Sequence, residues 1–105
     1  MKNKYQKSIQ NKDIQNDCIK VLYEIGAINP SLIAGYTNDF IALLDSRNNR
    51  LQWGAMTAIN SVALENPDTV FKALGKLAVI TDKGSVITMD NYVAILTKLY
   101  SIPIY

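Results

Sequence analysis

Between residues 13 and 27 the apolar side chains fall at Ile14, Cys18, Val21, Leu22 and Ile25. Spacings of four, three, one and three residues put them on one stripe of an amphipathic helix. Asn29-Pro30 interrupts the stripe. Proline pushes Asn29 out of the helical region, which suits an N-cap, and Pro30 sits well at the first helical position. A second helix is therefore predicted over about 30–44, with Ile33, Tyr36 or Thr37, Phe40, Ile41 and Leu44 on its stripe. The polar run Asp45-Ser46-Arg47-Asn48-Asn49 closes it. A third helix over about 50–64 turns Leu51, Ala55, Ala58, Ile59 and Val62 inward. Asn66-Pro67 repeats the earlier punctuation and opens a fourth helix over about 67–80, with Val70, Leu74, Leu77 and Ala78 inward. Asp82-Lys83-Gly84-Ser85 ends it, with Gly84 expected as a left-handed stop. A fifth helix over about 89–100 presents Tyr92, Ile95, Leu96 and Leu99. The β-branched run Val86-Ile87-Thr88 is too short and isolated to pair as a strand. The pattern is all-α.

The pattern also repeats. Residues Asn11 to Pro30 align with Asn48 to Pro67 at an offset of 37, and a weaker third copy runs from about Gly84 to Pro103. At the same offset Ile33 aligns with Val70, Phe40 with Leu77, Ile41 with Ala78, and Asp45 with Asp82. Cys18, Ala55 and Tyr92 share one position; Val21, Ala58 and Ile95 the next; then Leu22, Ile59 and Leu96; then Ile25, Val62 and Leu99. Generic amphipathic helices match in part, but they do not reproduce paired Asn-Pro breaks and paired Asp stops at one offset. A period of this length points to stacked helical hairpins, a solenoid.

Composition narrows the chemistry. The 105 residues are 49% hydrophobic and 19% charged, which are globular values. Eleven basic and nine acidic residues leave a net charge of +2, too balanced to imply a nucleic acid or an anionic membrane as partner. The local excess of Lys2, Lys4, Lys7 and Lys12 is expected as a flexible, polar N-terminus over residues 1–11. No apolar run follows it, so no secretory signal is read, and the helical stripes are too interrupted to span a membrane. A cytoplasmic location is expected. With no histidine and one cysteine, triads built on His or Cys and the usual zinc sites are excluded. Cys18, on a helical stripe, is expected as a buried small hydrophobe. Asp13 and Asp17 make a solvated helix face, and the glycines lack the spacing of a phosphate-binding loop. A non-enzymatic protein without cofactor or metal is expected.

Leu43-Leu44-Asp45, the polar turn from Ser46 to Asn49, then Arg50, Ala55, Ala58 and Ile59, and finally Asn66-Pro67 resemble HEAT repeats of the armadillo-like class. The likeness covers roughly residues 12–103 and is strongest over 31–67. It departs at the Arg50 position, which is Asp13 in the first copy and Ile87 in the third, and Leu51 becomes Thr88. The inter-repeat Asp–Arg ladder of that family is thus limited here to Asp45, Asp82 and Arg50. Tetratricopeptide and ankyrin signatures are missing. The resemblance implies one domain over residues 12–105, an α-α superhelix forming a right-handed solenoid of antiparallel hairpins.

It also implies that the second helices line a concave face. The offset then builds ladders of Asn16, Trp53 and Asp90; of Lys20, Thr57 and Ala94; of Tyr23, Asn60 and Thr97; and of Glu24, Ser61 and Lys98. The implied function is a scaffold for a protein partner, binding an amphipathic segment through Asn16, Lys20, Tyr23, Trp53, Thr57, Asn60 and Asp90. Trp53 is either filler between helices or an aromatic anchor, since Trp and Tyr dominate binding hot spots. The alternative is a nucleic-acid-binding module like the HEAT-like proteins of DNA alkylation repair. Those use a row of basic residues, whereas Lys20, Arg47, Arg50 and Lys98 are few and interleaved with Glu24 and Asp90. The chain opens on a second-type helix and ends on the apolar run Tyr100-Ser101-Ile102-Pro103-Ile104-Tyr105. A longer solenoid, or self-association through the ends, is expected.

Overall fold

The computed structural model describes residues 11–103. The helices are α1 (Lys12–Ile28), α2 (Thr37–Leu43), α3 (Asn49–Val62), α4 (Pro67–Lys72), α5 (Leu74–Lys83) and α6 (Val86–Tyr100), with 3₁₀ turns at Pro30–Leu32 and Ala34–Tyr36. No strand occurs among the described residues; the protein is all-α. No described helix is long and apolar enough to cross a membrane. Of the segment over residues 1–11 expected to be flexible, residues 1–10 lie outside the described residues, as do the terminal Ile104 and Tyr105, while Asn11 caps a helix.

Helix starts follow the punctuation. Asn11 caps α1, its Oδ1 accepting from the backbone N–H of Asp13 at 2.8 Å and of Ile14 at 3.4 Å. Asn48 caps α3, accepting from Leu51 N–H at 3.4 Å. Ser85 is the extended residue before α6. Asn11, Asn48 and Ser85 stand 37 residues apart. The Asn11 and Asn48 side-chain oxygens satisfy backbone donors that the first helical turn leaves without partners, whereas Ser85 Oγ makes no such bond.

The two stretches expected as single helices, over about 30–44 and 67–80, are broken, not continuous. Over 30–44 the chain leaves helical geometry at Ile33 (φ −115°, ψ −1°) and Tyr36 (φ −101°, ψ 13°) before α2 begins. Asn29 caps nothing there; its Oδ1 accepts instead from Ser31 Oγ at 2.7 Å. Over 67–83 the break is at Ala73 (φ −91°, ψ 0°), 37 residues beyond Tyr36. Each bend lets both arms bury an apolar side chain, Ile33 and Phe40 in one, Val70 and Leu77 in the other. Tertiary packing overrides helix propensity at these two points.

Helix α3 is the hub, packing against α1, α2 and α6, while α5 packs on α6 and α2 meets α4. Along the α1–α3 seam Asn16 meets Asn48, Ile19 meets Gly54, and Gly26 meets Ser61, so the two helices run in the same direction. Along the α3–α6 seam Thr57 meets Asn91 and Asn60 meets Lys98, again parallel. The core gathers Phe40, Leu44, Met56, Ile59, Leu77 and Ile95 at essentially no exposure. Burying each such side chain contributes about 1.5–3 kcal/mol.

The buried face of α1 is turned from the one its spacing predicts. Ile19 is buried, whereas Ile14, Cys18 and Val21 are exposed. Their counterparts in α3 (Leu51, Ala55 and Ala58) are buried because α3 has a neighbour on each side. Leu96 is exposed on α6 for the same reason. Val86-Ile87-Thr88 forms the first turn of α6, extending it ahead of residue 89. Gly84 is not left-handed: its backbone is extended (φ −100°, ψ −168°). Glycine fits there because a Cβ would strike Thr88 Oγ1 and come within 2.9 Å of the Ile80 carbonyl. Asp45 pairs with Lys76 of α5 at 2.8 Å rather than with Arg50.

Candidate functional site

A groove of about 460 Å³ opens between α1 and α3 and reaches the first turn of α6. Asn16, Lys20 and Tyr23 line it from α1, at the i, i+4, i+7 spacing of one helix face. Trp53 and Thr57 face them from α3 at i, i+4, and Ile87 closes one end from α6. The two helices approach closely at Gly54, where a Cβ would lie 2.6 Å from Ile19 Cγ1. Ile19 and Gly54 line the groove, as do the half-buried Tyr23 and Trp53.

The seam is pinned at one end by polar contacts. Asn48 Nδ2 donates to Asn16 Oδ1 at 2.9 Å and to Gln15 Oε1 at 3.3 Å. Asn48 therefore caps α3 and ties it to α1 at once. Lys20 lies 3.8 Å from Glu24, both side chains more than half exposed (63% and 57%). Such a pair contributes about 0–1 kcal/mol, little enough for Lys20 to exchange partners. Lys20 and Arg50 against Asp17 leave the groove weakly cationic.

On the other side of α3 the seam is closed. Asn91 Nδ2 donates to Thr57 Oγ1 at 3.1 Å, Asn60 Nδ2 donates to Asn91 Oδ1 at 3.1 Å, and Lys98 Nζ donates to the Asn60 carbonyl at 2.7 Å. Burial lowers the pKa of Lys98 below 10.5, because the charged ammonium loses water there. Asn60 Oδ1 is buried with no hydrogen-bond partner among the described residues.

Of the residues expected on the concave face, the structure thus brings Asn16, Lys20, Tyr23, Trp53 and Thr57 into one groove. Asn60 sits in the α3–α6 seam instead, and Asp90 is exposed on α6 away from the groove lining. Sequence reasoning missed Asp17, Ile19, Arg50, Gly54 and Ile87. Arg50 and Gly54 flank Trp53 within one helical turn, a signal that was available. Nothing in the repeat marks Ile87 or Asn91, since the positions 37 residues earlier are Arg50 and Gly54, of different chemistry. Comparison with protein-family models, with characterised proteins and with solved structures returns no match.

Proposed function

We propose that the chain is a short HEAT-like solenoid with a period of about 37 residues that acts as a protein-interaction scaffold. On this reading the α1–α3 groove takes an amphipathic segment of a partner protein. One observation carries the proposal: Tyr23 and Trp53 line one groove with Ile19, Asn16, Lys20, Arg50 and Thr57. Large, rigid aromatic side chains beside the weakly paired Lys20 suit a segment with an apolar side and a carboxylate at its edge. The recurrence of helix starts at Asn11, Asn48 and Ser85, and of bends at Tyr36 and Ala73, supports the repeat reading.

The test selects peptides from a random display library against the whole chain and titrates the winners by calorimetry. Affinity should fall at least about tenfold in Trp53→Ala and in Tyr23→Ala, with helicity unchanged. Peptides that bind both variants as tightly as the wild type would place recognition elsewhere. Duplex DNA serves as the competing ligand in the same assay. Binding with a steep salt dependence would favour the nucleic-acid reading instead.

A further inference from the structure

A second groove, of about 470 Å³, lies where α2 meets α4, at the bend into α5, and shares no lining residue with the groove between α1 and α3. Thr69, Lys72, Ala73 and Lys76 line it at spacings of three, one and three residues, and Asn38 and Ile41 line it from α2 at a spacing of three. Among the described residues, the side chains of Asn38, Thr69 and Lys72 have no hydrogen-bond or ion-pair partner. Lys76 Nζ donates to Asp45 at 2.8 Å, but the Asp45 side chain is 73% exposed, so the pair is weak and can exchange. No carboxylate among the described residues lines the groove: Asp39 and Asp68, next in sequence to Asn38 and Thr69, stand outside its lining. In the other bent stretch, 37 residues earlier, the positions of Thr69, Lys72, Ala73 and Lys76 hold Leu32, Gly35, Tyr36 and Asp39. A bend of this kind therefore packs without the two lysines.

Two ammonium groups, an amide and a hydroxyl thus share one groove with no acid among its lining. A carboxylate would answer only one of the two charges, and with two oxygens. A phosphate monoester carries a charge near −2 around neutral pH and three strong acceptor oxygens, which matches both lysines and leaves an oxygen for Asn38 or Thr69. The half-buried Ile41 and Ala73 give the organic body of such an ester an apolar surface to rest on. The volume falls within the range of small-molecule sites. We infer that this groove binds a small organic phosphate monoester through Lys72 and Lys76, with Asn38 and Thr69 as further donors, and that Asp45 competes with the ligand for Lys76. The inference is independent of what occupies the groove between α1 and α3.

Backbone amide chemical shifts of the full chain, titrated with phenyl phosphate at slightly alkaline pH where the probe is a dianion, test this. Saturable shifts should centre on the residues that line the groove, with inorganic phosphate binding more weakly and phenol leaving those amides unmoved. Lys72→Gln should weaken phenyl phosphate about threefold to fivefold, and Asp45→Asn should tighten it by a similar factor, because Lys76 is released. Both positions are exposed, so both variants should keep wild-type helicity by circular dichroism. An absence of saturable shifts at the groove would overturn the inference. So would inorganic phosphate binding as tightly as the ester, phenol moving the same amides, Lys72→Gln without effect, or Asp45→Asn weakening the probe. Shifts spread evenly over the lysines of the chain would mean adventitious anion binding only, and would overturn it as well. Trp53→Ala alters the other groove alone and should leave this titration unchanged, so its outcome and that of the peptide titration are read separately.

Discussion

The two seams of α3 are built in one register and filled in opposite ways. Toward α1 the helices meet through Ile19 on Gly54, and above that contact the space between them stays open between Tyr23 and Trp53. Toward α6 the equivalent space holds Asn91, whose amide joins Thr57 to Asn60, with Lys98 reaching the Asn60 carbonyl. The α3–α6 seam is hydrogen-bonded along its length, whereas the α1–α3 seam is bonded at its Asn48 end and opens beyond it. One helix can therefore carry a hydrogen-bonded joint beside an open groove, and a few side chains decide which is which.

The contrast breaks most completely if the hub loses volume. Ile59 is buried at the centre of α3, and Ile59→Ala should cost about 2–5 kcal/mol by chemical denaturation, because transfer and cavity terms add. Gly54→Val strikes only the open seam. Its side chain would collide with Ile19, so a loss of about 1–3 kcal/mol is expected, with amide-exchange protection falling first in α1. The control is Gly75→Ala, on an exposed part of α5 with open space around it, where helix propensity should add about 0.5–1 kcal/mol.

Those two glycines also mark how far the sequence could be read. Asn-Pro breaks, the offset of 37 and the third helix's stripe were legible, since Leu51, Ala55, Ala58, Ile59 and Val62 are all buried as their spacing implies. The outer helices were legible only in part. A stripe shows that a helix has an apolar side, not how many neighbours it has, so Ile14, Cys18 and Val21 read as core and stand exposed. The breaks at Tyr36 and Ala73 follow from long-range burial and leave no local mark. In the groove, Trp53 and its i+4 neighbour Thr57 were legible as a helix face, but Ile87 enters from another helix with no periodic counterpart.

Asn48 sharpens the comparison at smaller scale. It caps α3 and binds Asn16 and Gln15, whereas Asn11 in the equivalent position only caps α1. Asn48→Ala should cost about 2 kcal/mol and Asn11→Ala about 0.5–1 kcal/mol in thermal unfolding, the difference being the inter-helix bonds. The smallest effect lies in the closed seam. The pKa of Lys98 is lower folded than unfolded, so above the folded value the unfolded chain holds the extra proton. Stability from this group is therefore reduced at neutral pH and recovers as pH rises from the lowered value toward 10.5. Lys98→Met should flatten that rise, measured as unfolding midpoints across the alkaline range.

The open seam has a built-in reporter, because Trp53 is the single tryptophan of the chain. The most direct measurement is its fluorescence emission and acrylamide quenching, with and without a peptide selected from the display library. Saturable binding with a blue shift and reduced quenching, both abolished in Tyr23→Ala, is the expected result. Saturable binding by calorimetry with Trp53 emission and quenching unchanged would contradict the account, since the partner would then sit away from the groove.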